Sequence, residues 1–98
     1  MIGLMMFNFE PTSFRTESLH DGVKHIFEFR NGFGASVIRH SRSYGGKEGL
    51  WELGVLKDGR LCYDTPITDN VLGYLTESQV EDALNDILML NPAFAQKT

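Results

Sequence analysis

Val23-Lys24-His25-Ile26-Phe27-Glu28-Phe29-Arg30, then Asn31-Gly32, then Phe33-Gly34-Ala35-Ser36-Val37-Ile38-Arg39 is the stretch that decides the fold class. Val23, His25, Phe27 and Phe29 alternate with the mostly polar Lys24, Glu28 and Arg30, the period of two expected of a strand with one buried face. Asn31 and Gly32 both tolerate positive φ and mark a hairpin. A two-residue turn would pair Arg30 with Phe33 and set the phenylalanines against Gly34 and Ser36. A three-residue loop with Gly32 as a left-handed bulge residue instead pairs Phe29 with Phe33, Phe27 with Ala35 and His25 with Val37. The second register is preferred because it makes one coherent apolar face.

Working toward the C-terminus, Leu50 to Leu56, Lys57-Asp58-Gly59 and Arg60 to Asp64 repeat the device. With Gly59 as a bulge residue, Val55 faces Leu61 and Leu53 faces Tyr63. Trp51, Leu53, Val55, Leu61 and Tyr63 then share the apolar face, and Cys62 falls on the polar face beside Gly54. Pro66 ends this strand, since it lacks the donor a ladder requires. Val71 to Leu75 adds a short edge strand. Thr76-Glu77-Ser78-Gln79 is a capping box, and Val80, Ala83, Leu84, Ile87 and Leu88 follow at helical spacing until Asn91-Pro92. The expected fold is therefore α+β: an antiparallel sheet of two hairpins, about four strands, with one C-terminal helix packed on it. Residues 1–22 read as an irregular lead-in, 23–92 as a single domain and 93–98 as a flexible end.

Composition narrows the function classes. The chain has 98 residues, 42 % hydrophobic and 22 % charged, which is ordinary for one soluble globular domain. The single cysteine, Cys62, excludes an internal disulfide and a zinc site made of several thiolates. Met1 to Phe7 is far shorter than the ~18 apolar residues a membrane-spanning helix needs and has no signal-peptide flanks, so the expected compartment is a reducing cytoplasm. Charge is uneven. Residues 61–96 hold six acids and no Lys or Arg, whereas Arg39, Arg42 and Lys47 lie within nine residues that hold no acid.

The chemistry-bearing candidates are few. His20-Asp21, His25 and His40 match no metal-ligand spacing. Cys62, beside acids, lacks the electropositive niche of a nucleophile. Gly45-Gly46-Lys47 fails as a phosphate loop because Glu48 follows the lysine and no strand-loop-helix context surrounds it. No catalytic residue, metal set or cofactor is assigned. A small ligand- or metal-binding domain or enzyme using His25, His40 and Cys62 is an alternative that needs those three side chains to converge. Arg39 to Lys47 combines cations, hydroxyls and Tyr44 between the two hairpins. Arg39, Arg42, Tyr44, Lys47 and the nearby Trp51 form the expected partner-binding face. Three cations on an acidic chain argue against nucleic acid as that partner. On the helix, Glu81, Asp82 and Asp86 lie off the apolar stripe. They make a candidate acidic face, and a second alternative is an inhibitor that mimics nucleic-acid phosphate.

The blocks Asn31 to His40, Ser43 to Gly46, Gly49 to Leu53 and Leu61 to Thr68 resemble a family of small uncharacterised proteins of tailed bacteriophages and prophages. The likeness covers about residues 23–80. It implies a viral accessory protein acting in the bacterial cytoplasm, and it implies no catalytic residue. Together with the missing catalytic constellation and the polarised charge, the expected function is a non-enzymatic accessory protein that binds a host or phage protein. Phe14, Ile26 and Ile38 are expected on the sheet face away from the helix, where an isologous homodimer would cover them.

Overall fold

The computed structural model describes residues 11–92. The expected flexible end at 93–98 and the first ten residues of the expected lead-in lie outside the described residues. The elements in chain order are β1 (Ser13–Leu19), β2 (Gly22–Glu28), β3 (Phe33–Arg39), β4 (Trp51–Lys57), β5 (Arg60–Leu61), β6 (Leu72–Leu75) and α1 (Glu77–Leu88). All strand pairs are antiparallel in the order β1-β2-β3-β4-β5, with β6 also pairing β4. The fold is α+β; among the described residues it is a six-stranded antiparallel sheet with one C-terminal helix.

The β2–β3 hairpin takes the three-residue register. Phe27 pairs Ala35, His25 pairs Val37, and the Phe29 N–H donates to the Phe33 carbonyl at 2.8 Å. Gly32 sits at φ 88, where a side chain would be strained, while Asn31 stays out of the left-handed region. This register places Phe27, Phe29, Phe33, Ala35 and Val37 in one cluster with Trp51, Leu53 and Val55 of β4. Val80, Ala83, Leu84 and Ile87 of α1 close that cluster, as their spacing requires. The capping box forms: the Thr76 hydroxyl accepts from the Gln79 N–H at 3.2 Å, and Gln79 Oε1 accepts from the Thr76 N–H at 2.9 Å. The helix spans twelve residues and ends at Leu88, before Asn91-Pro92.

Three expectations are corrected. First, Ser13–Leu19 is a strand, not part of an irregular lead-in; it pairs the whole of β2 across a two-residue turn at His20-Asp21, with His20 at φ 54. Its residues are exposed or half-buried, as an edge strand's are, so the alternation of Phe14, Thr16 and Ser18 with Arg15 and Glu17 carries little hydrophobic contrast.

Second, β4 and β5 pair through a two-residue turn, Leu56 with Leu61 and Lys57 with Arg60. Asp58 at φ 53 and Gly59 at φ 84 are both left-handed, the turn whose twist matches the flanking strands. A slip of one residue turns each side chain over. Cys62 therefore joins the buried cluster, while Leu61 and Tyr63 are exposed. The Leu61 methyl lies 2.9 Å from where a Cβ on Gly54 would stand, so the exposed leucine covers the bare backbone there.

Third, Phe14 is on the helix side of the sheet, its ring 4.9 Å from that of Phe27. Ile26 and Ile38 do lie on the opposite face, where Ile26 pairs Ser36 and Ile38 pairs Glu52.

Candidate functional site

Residues 40–50 form a tightly hydrogen-bonded loop between β3 and β4. Ser43 Oγ donates to the His40 carbonyl at 2.9 Å and accepts the His40 N–H at 3.0 Å. The Tyr44 N–H donates to Glu52 Oε1 at 2.9 Å, and the Ser41 N–H donates to Asp21 Oδ1 at 2.9 Å. That backbone donor, with the Ser41 side chain, holds the Asp21 carboxyl below the usual carboxylate range. A short 3-10 turn at Gly46–Glu48 is bracketed by Gly45 at φ 87 and Gly49 at φ 78. A Cβ on Gly46 would stand 1.8 Å from the His40 carbonyl oxygen, so the loop closes on itself only with glycine there.

The loop presents Tyr44, and β6 meets it there. The Tyr74 N–H donates to the Tyr44 carbonyl at 3.2 Å. A Cβ on Gly73 would lie 2.7 Å from Tyr44 Cβ and 3.3 Å from its Cγ, so the Tyr44 side chain lies over Gly73. Conversely, a Cβ on Gly45 would lie 2.9 Å from Tyr74 Cα and 3.2 Å from Tyr74 Cδ2. Each tyrosine thus covers the other's neighbouring glycine. Both remain open to solvent, at 57 % and 58 % exposure, on an anchored backbone. Tyr74 also sits at φ 57, a conformation a bulky residue rarely adopts without a surrounding structure that enforces it.

The expected partner-binding residues divide. Arg42, Tyr44 and Lys47 are exposed on the loop. Trp51 is not part of a contact face: it is fully buried. The Arg39 guanidinium covers its ring at 4.2 Å and donates to the Gly49 carbonyl at 3.2 Å, so Arg39 is a half-buried clamp on the loop. An indole at the start of a central strand with its partners on both sides has no route to solvent. Tyr74 escaped the sequence reading; Gly73 before an aromatic in a short edge strand was its only local signal.

His25, His40 and Cys62 do not converge. His25 shares a 2.8 Å hydrogen bond with Thr16 Oγ1 and stacks between Phe14 and Trp51, with ring centroids at 5.9 and 5.5 Å. His40 accepts the Arg42 N–H and meets the His20 ring at 5.0 Å. Cys62 donates to Asp64 Oδ1 at 3.0 Å on the far side of β4. β2 and β5 are three strand spacings apart, about 14 Å. Among the described residues no group of three or more His, Cys, Asp and Glu side chains could hold a metal ion. Burial pushes the Cys62 thiol up, and the Asp64 carboxylate adds to that, the reverse of an activated nucleophile. On α1, Asp82 and Asp86 are exposed and Glu81 is half-buried beside the apolar stripe.

Burial, and secondarily the Arg39 charge, hold His25 below its ordinary value of 6.5. The unfolded chain therefore binds the proton more readily than the folded one. The neutral imidazole's contribution is complete above about pH 6.5 and is lost as pH falls below it toward the depressed folded value. Urea midpoints taken between pH 7.5 and 5.5 are expected to fall more for the wild type than for His25→Gln. Parallel curves for the two proteins would remove His25 as the cause.

No protein-family model, curated protein or solved structure matches this chain. Among the described residues no helix is long and apolar enough to cross a membrane.

Proposed function

We propose that this chain is a non-enzymatic, phage-type accessory protein that works by binding a host or phage protein in the bacterial cytoplasm. Its contact surface is the Tyr44–Tyr74 platform, with Arg42 and Lys47 at the rim. The phage setting and the compartment rest on the resemblance of residues 23–80. The binding mode rests on one observation: two largely exposed tyrosines are locked over each other's glycines by a backbone hydrogen bond.

Tyrosine offers a large amphipathic surface at low entropic cost, and aromatic and arginine side chains dominate the energetics of protein interfaces. Anchoring both backbones before a partner arrives reduces what must be ordered on binding. The strained Tyr74 backbone costs of order 1 kcal/mol. Glycine would relieve it, and the contact with Gly45 and the hydrogen bond to the Tyr44 carbonyl hold the tyrosine there instead.

The test compares proteins captured from bacterial lysate by the wild type, by Tyr44→Ala, by Tyr74→Gly and by Arg42→Ala/Lys47→Ala. Tyr74→Gly keeps the left-handed backbone while deleting the ring. A partner held by the wild type is expected to be lost with either tyrosine variant. It should be retained more weakly, with less salt dependence, by the Arg42/Lys47 variant. The same captured proteins in all four experiments would overturn this face as the contact.

A further inference from the structure

The two edges of the sheet are built differently. On the β4 side the ladder ends in β5 and β6, of two and four residues, the short edges by which sheets avoid pairing with another chain. On the other side lies β1, seven residues and about 23 Å of uninterrupted strand with no Pro or Gly inside it. Among the described residues, nothing pairs its outer edge.

We propose that β1 is a homodimerisation edge, at which a second copy of this chain adds antiparallel about a twofold axis at Thr16. The strand sequence is self-complementary in that register. Ser13-Phe14-Arg15-Thr16-Glu17-Ser18-Leu19 centred on Thr16 sets Arg15 opposite Glu17 of the second copy, and Glu17 opposite its Arg15. Thr16 meets Thr16 of the second copy on the other face. Opposite charges and threonine pairs are the cross-strand neighbours that stabilise an antiparallel ladder.

Arg15 and Glu17 stand on the same face and already touch, Nε to Oε2 at 2.9 Å, but with side chains 55 % and 46 % exposed that pair contributes little alone. In the dimer each Glu17 lies between Lys24, its cross-strand neighbour on β2, and Arg15 of the second copy. The result is one continuous sheet through both molecules. Shifting the register by two residues in either direction breaks both charge pairs, so the charges select the axis.

Sedimentation equilibrium at high micromolar concentration is expected to give twice the 11.1 kDa chain mass. Arg15→Glu sets acid against acid and Glu17→Arg sets base against base, so each variant alone is expected at the single-chain mass. Mixed in equal amounts, the two restore opposite charges at each position and should associate. The double variant Arg15→Glu/Glu17→Arg, which only exchanges the charges, should stay dimeric. A wild type at the single-chain mass overturns the proposal, as do dimeric single variants, a mixture that stays monomeric or a monomeric double variant. Far-ultraviolet dichroism of each variant shows that a loss of association is not a loss of fold.

Discussion

Asn31→Asp is expected to destabilise the fold by about 2–4 kcal/mol at neutral pH, although it changes a single terminal group on a turn. The two N–H groups of the Asn31 amide are shared among the carbonyls of Ile87, Leu88 and Leu90, at 2.9, 3.0 and 3.1 Å from the nitrogen, which makes it the C-terminal cap of α1. Its Oδ1 accepts the Phe33 N–H at 3.0 Å, so the same side chain also holds the β2–β3 turn. Aspartate keeps that acceptor and loses the donor. It sets a negative oxygen against three carbonyls at the negative end of the helix dipole.

The pH dependence has a definite sign. A carboxyl in that position has its folded pKa raised, so the charge part of the penalty is absent below the unfolded value of about 3.9 and complete above the raised folded one. The stability difference between variant and wild type in urea titrations should therefore shrink on acidification. Asn31→Ala, which lacks both the donor and the charge, should show a loss without that pH dependence. An aspartate variant as stable as the wild type at pH 7 would mean that the helix end does not depend on this cap.

Trp51→Ala is expected to cost about 3–5 kcal/mol, while Trp51→Phe should cost about 1. Trp51 is the largest fully buried side chain, and its ring supports His25 on one side and Arg39 on another. Truncation to alanine removes that area, leaves a cavity between sheet and helix, and frees the Arg39 guanidinium from the surface that aligns it with Gly49. Phenylalanine is tolerated for a specific reason. The Trp51 Nε1 atom is buried with no hydrogen-bond partner among the described residues, so removing the indole N–H offsets part of the lost packing. Thermal unfolding of the three proteins checks this order. A phenylalanine variant as unstable as the alanine one would show that the indole N–H is satisfied after all.

The β2–β3 register, the capping box and the buried stripe of α1 were determined by the sequence itself, because each rests on contacts within a few residues or on one clear periodicity. Asn31-Gly32 allows one arrangement that keeps Phe27, Phe29 and Val37 on a common face, and Thr76 needs only Gln79 to cap its helix. The β4–β5 register shows where such local reasoning fails. Polarity favoured Leu61 and Tyr63 inward, but the backbone twist of Asp58-Gly59 prevailed, and the small thiol of Cys62 took the buried place.

β1 escaped for the related reason that an edge strand is largely exposed, and only Phe14 reaches the core, which leaves little hydrophobic contrast to read. Only the tertiary structure could bring Tyr74 to Tyr44 across thirty residues of sequence, or Asn31 to the end of α1. Both contacts join backbone groups that neighbouring residues leave unsatisfied, and the chain finds partners for them only after the sheet and helix have closed on each other.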